Sequence, residues 1–202
     1  VQENTHVLGQ TLSVFSFYNL KYPDIVIRKY DSSNNQLLAG ATFDIFIDGT
    51  KIPGSFITDD TGTIRISYDV YGTYLDNINK PADKTWTVRV VETSAPANYF
   101  DAGILTNKTQ ENILVLGSKL TEFVFKNEPF PDVSVYKEST KTNNPLPGVT
   151  YALKGEDNLN YFTAVTDENG IAYLENVPEG VYTLLEIDVP SGHILSEKTY
   201  II

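Results

Sequence analysis

Cysteine is absent from this chain of 202 residues, methionine is absent too, and histidine occurs only twice. Without thiols there can be no disulfide, no thiolate metal site and no cysteine nucleophile, so a folded domain must find its staple elsewhere. The two histidines, His6 and His193, have no ligand or triad partners at useful spacing, which argues against a hydrolytic enzyme. The turn sequences T-D-D-T-G and T-D-E-N-G lack the length and ligand count of an EF-hand loop, so neither metal nor cofactor is expected, adventitious calcium apart. No run of 18 apolar residues occurs and no signal-like apolar core opens the chain, which reads as a mature piece of something longer. Basic residues are scarce: 15 Lys and Arg stand against 26 Asp and Glu, a formal net charge of -11. With no Lys/Arg cluster to outweigh that charge, nucleic acid is excluded as a partner and an anionic membrane surface is disfavoured.

What is present points to sheets. Apolar residues make up 41% of the chain and aromatics 12%, with 13 Tyr and 10 Phe but one Trp. The apolar runs are rich in Thr, Val, Ile, Tyr and Phe, which favour strands, and they are short and bounded by turn residues. In the first half strands are expected at 24–30, 42–47, 54–58, 63–68, 85–92, 112–115 and 120–126. No segment keeps a 3.6-residue period, so helix content is expected to be low, with the 72–83 loop the one segment left open to a helix.

The chain repeats itself. When V-L-G-S-K-L-T-E-F-V-F-K-N (Val115 to Asn127) is laid on V-L-G-Q-T-L-S-V-F-S-F-Y-N (Val7 to Asn19), three further matches follow without a gap. These are P-D-I-V-I-R-K on P-D-V-S-V-Y-K, L-A-G-A-T-F on L-P-G-V-T-Y, and T-D-D-T-G on T-D-E-N-G. An insertion at about 67–80 then interrupts the first copy, and its Tyr and Asn residues are expected to be exposed. The copies return to step at V-R-V-V-E-T-S-A-P against T-L-L-E-I-D-V-P. This divides the chain into an orphan last strand at 1–22, a first domain at 23–129 and a second at 130–202 that lacks its last strand. Pro129 and Pro131 mark a short, stiff junction between the two, suited to a rod. If Val1 is set after Ile202, Asn19 falls as far beyond Glu186 as Asn127 lies beyond Glu92. The orphan strand therefore either completes the second domain of a neighbouring chain or is the tail of a preceding, similar repeat.

Strand alternation identifies three polar residues on core faces. Lys29 continues the series Ile25, Ile27; Glu92 continues Val88, Val90; Asn127 continues Phe123, Phe125. The second copy repeats Lys137 after Val133 and Val135, and Glu186 after Leu184, while Phe15, Phe17 and Asn19 repeat the last strand. A lone strand lysine is ordinarily solvated, and a lone Glu or Asn near a strand end ordinarily faces water. The triple, in phase with apolar neighbours in both copies, reverses that. Burial lowers a lysine pKa and raises a glutamate pKa, so a neutral amine could attack the asparagine carboxamide while the acid moves protons. The product would be a Lys–Asn isopeptide bond formed by a single self-modification, without enzymatic turnover.

These motifs resemble the collagen-adhesin B-type (CnaB, SpaA-like) domains of Gram-positive surface adhesins and pilus subunits. The resemblance is carried by I-R-K-Y-D and V-Y-K-E-S, L-x-G-A/V-T-F/Y, T-D-x-x-G, E-x-x-x-P and F-x-F-x-N, and it covers nearly the whole chain twice. It implies an all-β fold of tandem Ig-like β-sandwiches and an extracellular, cell-wall stalk that resists protease and force. It also implies self-cross-linking of Lys29 to Asn127 with Glu92 and the matching roles for Lys137 and Glu186 in the second copy, for which the register match offers Asn19 of another chain. The partners implied are neighbouring copies or adjacent repeats, and a host protein or glycan through the parent protein. The chain departs from the family pattern where G-Y is replaced by A-N-Y and S-G-H, and it carries no Leu-Pro-x-Thr-Gly signal. The competing reading is a ligand-binding adhesin module that uses the 67–80 loop.

Overall fold

The structure, a computed structural model, describes residues 17–76, 85–101, 108–156 and 160–202. In the first half, β1 (Asp24–Asp31) lies between β5 (Thr63–Ile66), antiparallel, and β8 (Leu120–Asn127), parallel. Facing it is a second sheet in which β2 (Thr42–Ile47) pairs with β3 (Thr50–Lys51), β4 (Phe56–Ile57) and β6 (Thr85–Ser94), and β6 pairs with β7 (Thr109–Val115). Alternate residues of both sheets meet in one core. Ile25, Ile27, Phe123 and Phe125 face Phe43, Ile45, Val88 and Val90, all 0–2% exposed, and the Phe43 and Phe125 rings lie 4.9 Å apart.

The second half repeats the plan with one sheet curtailed. Here β9 (Val133–Tyr136) pairs with β12 (Ile171–Leu174), and the other sheet runs β11 (Tyr161–Val165), β10 (Thr150–Gly155), β13 (Tyr182–Asp188), β14 (Thr199–Ile201). Among the described residues no strand lies on β9 where β8 lies on β1. The second half has its own core clusters, around Leu153, Leu174 and Tyr182 and around Val149, Tyr151 and Ala172, which share no residue with the first. This is the all-β fold of tandem Ig-like sandwiches that the family resemblance implies, and it is consistent with the sandwich or barrel to which short, turn-bounded strands point.

The repeated T-D-x-x-G motif has a physical basis in both halves. Thr58 donates its hydroxyl hydrogen to the Leu38 carbonyl and accepts the Ala41 N–H; Thr166 does the same with Leu146 and Val149. Asp59 Oδ1 accepts the N–H groups of Thr61 and Thr63, and Asp167 Oδ1 those of Asn169 and Ile171. The closing glycines, Gly62 and Gly170, adopt φ of 63° and 73°. Their carbonyls accept the N–H of Lys29 and of Lys137, so each turn locks the strand that carries a lysine. A Cβ on Gly170 would sit 2.3 Å from the Lys137 carbonyl oxygen, so only glycine fits.

Several boundaries differ from expectation. The strand expected at 63–68 stops at Ile66 because Tyr68 begins α1 (Tyr68–Asp76), which also starts ahead of the expected 72–83. Residues 77–84 lie outside the described set. The insertion is anchored and does not stand open: Tyr71 and Leu75 are 0% exposed, and the Tyr71 hydroxyl donates to the Pro23 carbonyl. The expectation of exposed tyrosines is corrected accordingly, since two i, i+4 apolar side chains give this helix a buried face. Tyr68 stacks on Tyr22 at 4.5 Å and covers Gly72, where a Cβ would strike its ring. The two-residue β3 was not expected, although Asp48–Gly49, with φ of 44° and 82°, is the turn pair that favours a tight hairpin.

Removing the anchoring side chain should separate α1 from the core. Leu75→Ala should lower the unfolding free energy by about 2–5 kcal/mol, whereas Val70→Ala on the exposed face should change it by less than about 0.5 kcal/mol. Urea titrations of both variants check this, and equal midpoints would contradict the packing described.

Candidate functional site

Parallel pairing of β1 with β8 places Lys29 opposite Phe125 and Asp31 opposite Asn127, so Lys29 and Asn127 project into the core from neighbouring strands. Glu92 comes from β6 in the facing sheet, where it pairs with Phe43. All three are buried: Lys29 is 0% exposed, Glu92 and Asn127 3% each. Lys29 Nζ donates to Glu92 Oε2 at 2.7 Å and to Asn127 Oδ1, while Asn127 Nδ2 donates to Glu92 Oε1 at 2.8 Å. Each carboxylate oxygen thus touches one of the two nitrogens, and the lysine nitrogen lies against the carboxamide carbonyl. Burial pushes the Lys29 pKa below its ordinary value, with the hydrogen bond and charge of Glu92 opposing in part. That favours a neutral amine, the nucleophilic form.

The end of β1 is pinned by contacts that strand parity did not reveal. Buried Asp31 accepts hydrogen bonds from the Ser33 N–H and hydroxyl, from Asn34 and from the Tyr99 hydroxyl at 2.9 Å. Burial works to raise the Asp31 pKa, but these donors outweigh it and the net shift is downward. The Ser32 N–H donates to the Asn127 carbonyl. Tyr99 is the tyrosine of A-N-Y, so the departure from G-Y still supplies an aromatic hydroxyl to the site. The signal available in the sequence was an acidic residue two positions after each candidate lysine in the first copy only: Asp31 after Lys29, against Ser139 after Lys137.

In the second half Lys137 and Glu186 meet without a third member. Lys137 Nζ donates to Glu186 Oε2 at 2.8 Å, with the lysine side chain 24% exposed and the glutamate side chain 2%. The vacant hydrogen-bonding positions of Glu186 are filled by the Tyr151 hydroxyl at 3.2 Å and the Ser196 N–H at 2.9 Å. Burial would raise the Glu186 pKa, yet Lys137, Ser196 and Tyr151 together hold it below the ordinary carboxylate range. The direction is opposite to the rise that burial alone would give a carboxyl group. Tyr151, buried beside that charge, is pushed up to about 12. Asn19 is exposed and hydrogen-bonds neither Lys137 nor Glu186, while Phe15 and His6 lie outside the described residues. His193 closes the P-S-G-H turn, its N–H on the Pro190 carbonyl.

Residues 23–119 and 131–202 match SpaA, the prealbumin-like fold domain. The chain belongs to that family. Among solved structures, the shaft pilin SpaA from Lactobacillus rhamnosus GG is similar, with a TM-score of 0.52 at 16% identity, covering 90% of this chain and 93% of that one. The Bacillus anthracis TIE protein aligns at 22% identity with a TM-score of 0.44, covering 90% of this chain and 31% of that one. A streptococcal ancillary pilin aligns at 17% identity and TM-score 0.41, covering 89% and 57%. The chain thus spans under a third of the first of these two and just over half of the second. At such identities the likeness is one of fold. No curated protein matches the chain in sequence.

Substituting Asn127 by Ala should leave Lys29 as a free buried amine and expose its titration. Because its folded pKa lies below the unfolded value of about 10.4, the unfolded state binds more protons between the two, and stability rises with pH through that window. Below the folded pKa that contribution is unfavourable and constant. Urea midpoints at neutral pH and near pH 9.5 should therefore differ more for Asn127→Ala than for Lys29→Met/Asn127→Ala. Equal pH slopes would mean that Lys29 is not held below its ordinary pKa.

Proposed function

We propose that this chain is a structural shaft module of a Gram-positive cell-surface pilus or adhesin. In this reading residues 23–129 and 130–202 are successive domains, and the first is locked by an amide between Lys29 and Asn127. The observation that carries it is a lysine amine with no solvent contact, held against a carboxamide by a carboxylate that touches both nitrogens.

The reaction balances without a co-reactant. Lys29 passes one proton to Glu92, leaving a neutral amine and a neutral acid in an apolar site where ionic forms are costly. The amine lone pair forms a bond from Nζ to the Asn127 side-chain carbonyl carbon, and charge collects on Oδ1, which the Glu92 acid can hydrogen-bond. A proton moves from Nζ through the carboxyl group to Nδ2, the carbon–Nδ2 bond breaks, and ammonia leaves. Two groups that are hard to bury become one secondary amide. Glu92 is restored once the proton first taken from Lys29 leaves with the ammonia as ammonium.

Such a bond closes a loop between positions 98 apart, and loops of about that length give roughly 4–5 kcal/mol by the chain-entropy account developed for disulfides. It supplies the staple that a cysteine-free domain outside the cell otherwise lacks. The same chemistry at Lys137 and Glu186 would join neighbouring copies head to tail once an asparagine arrives from another strand. The competing ligand-binding reading loses support because α1 spends Tyr71 and Leu75 on the core.

The intact mass of the denatured monomer should fall about 17 Da below the sequence value, one ammonia per internal bond. Lys29→Ala, Asn127→Ala and Glu92→Ala should each restore the full mass. A wild-type monomer at its full sequence mass would sink the self-cross-linking reading and leave an ordinary sandwich with a buried polar cluster.

A further inference from the structure

Shortly after Glu92, β6 gives way at Ser94 to a loop that turns back towards the other two strands of the cluster. The loop closes on itself where Ala95 N–H donates to Asp101 Oδ1, and Asn98 bends it with a φ of 68°. It then grips the exit of β8 through the main chain. Phe100 N–H donates to the Glu128 carbonyl at 3.0 Å, and Phe130 N–H to the Asn98 carbonyl at 2.9 Å. The Phe100 and Phe130 rings meet edge to face at 4.9 Å across the same seam. The exit of β8 is held from β1 as well, by Ser32 N–H on the Asn127 carbonyl at 2.9 Å.

A single side-chain contact ties the loop to β1. The Tyr99 hydroxyl donates to Asp31 Oδ2 at 2.9 Å, and Asp31, 4% exposed, lies opposite Asn127 in the parallel register. A buried carboxylate is costly unless donors are built in around it. Three of its donors, the Ser33 N–H, the Ser33 hydroxyl and the Asn34 carboxamide, are local to the turn after β1; only Tyr99 comes from elsewhere in the chain. Burial and the Asp31 charge push Tyr99 up to about 12, and the donors hold Asp31 low, so the hydroxyl stays a donor and the carboxylate an acceptor near neutral pH. The ends of β1, β6 and β8 are thus tied together just beyond Lys29, Glu92 and Asn127. In the second half the matching positions hold Ser139 and His193, and no hydrogen bond joins those side chains. The Asp31–Tyr99 link therefore belongs to the half that holds the complete Lys–Glu–Asn cluster.

We propose that Tyr99, acting through Asp31, is a positioning residue for the Lys29–Asn127 bond: it clasps the three strand ends so that the Asn127 carboxamide carbon is presented to the lysine nitrogen. This deepens the function proposed above and rests on that bond.

The need for a clasp lies in the geometry of attack. The nitrogen must reach the carboxamide carbon from one face of its plane, and Asn127 sits at the last position of β8, where strand ends fray most readily. With the clasp shut, the Asn127 main chain is fixed by Ser32 and its flank by Phe100 and Asn98. Only side-chain torsions then remain to bring the carbon into line. With the clasp open, the exit of β8 moves with the segment that follows it, and the carboxamide spends less time against Lys29. Tyr99 and Asp31 touch none of the reacting atoms. They set how often the nitrogen meets the carbon, and leave the proton transfers to Glu92.

The test follows the reaction in the full chain, translated cell-free in a short pulse and quenched in acid at intervals. Intact mass gives the fraction that has lost about 17 Da, and so a rate, while near-UV circular dichroism reports whether each variant is folded. Tyr99→Phe removes one oxygen and should slow the reaction at least about 10-fold, since a misplacement of about 1 Å can cost on the order of 100-fold. Asp31→Ala should slow it as much. The double variant Asp31→Ala/Tyr99→Phe should be no slower than Asp31→Ala, because both act through one hydrogen bond. Losses that multiply in the double variant overturn the link; should Asp31→Ala not fold, the Tyr99→Phe rate alone decides. The pH of half-maximal rate should stay where the wild type has it, since Lys29 and Glu92 keep their contacts, and a moved midpoint overturns a pure positioning role. Leu75→Ala weakens the fold from α1, which packs beside Pro23 at the other end of β1, and serves as the control for lost stability. It should react at close to the wild-type rate, and slowing equal to that of Tyr99→Phe overturns the proposal. A Tyr99→Phe chain as fast as a reacting wild type sinks the clasp alone. A wild type that never loses ammonia sinks the bond and the clasp with it.

Discussion

A lysine nitrogen without solvent, shared between a carboxylate and a carboxamide, is the constraint to which the first half of this protein is fitted. The hydrogen bonds Lys29–Glu92 and Asn127–Glu92 require three strands from two sheets to meet within about 3 Å. Parallel pairing of β1 with β8 sets two of the groups side by side, and β6 brings the third across the core. The turn ending at Gly62 holds the Lys29 backbone, and Asp31 with Tyr99 fixes the strand end beside Asn127. Taking one partner away from such a set leaves an uncompensated buried charge, at about 3–5 kcal/mol in comparable cases.

The second half shows the same framework without the third group. Turn, lysine strand and acid all recur, yet the Lys137 side chain is partly exposed and the Glu186 pKa is held below its ordinary value. Two substitutes satisfy the acid, a tyrosine hydroxyl where the first half has Phe43 and a backbone N–H from Ser196. A strand lying on the lysine strand thus goes with a fully buried cluster, and among the described residues its absence goes with a partly exposed pair.

Much of this was legible before any coordinates. Period-two alternation put Lys29, Glu92 and Asn127 on inward faces, and the bounds of β2 were read without error, because a sheet with one buried face repeats every two residues. The helix was misplaced for the opposite reason. At nine residues containing Gly72, Val70 and Thr73, α1 has little intrinsic helicity and is held by tertiary contacts that no local pattern encodes. Tyr99 and Ser196 escaped notice because their contributions, a hydroxyl reaching Asp31 and a backbone N–H reaching Glu186, depend on how loops return to the sheet. Tyr151 was visible only as one hydroxyl's difference from Phe43.

The parallel register of the first and last strands has a mechanical consequence of its own. The proposed amide at Lys29–Asn127 would make the tether between neighbouring modules run along the few residues from Asp24 to Lys29, across the bond, and out after Asn127. The segment between these residues, which lie 98 positions apart, would then form a closed ring beside that path. At about 3.3–3.6 Å per extended residue, this withholds roughly 300 Å or more of contour that an unlinked sandwich could release under tension. A filament of such units would behave as an inextensible cord, passing force along without lengthening or dissipating it. Any yielding would have to come from a unit whose ring is still open.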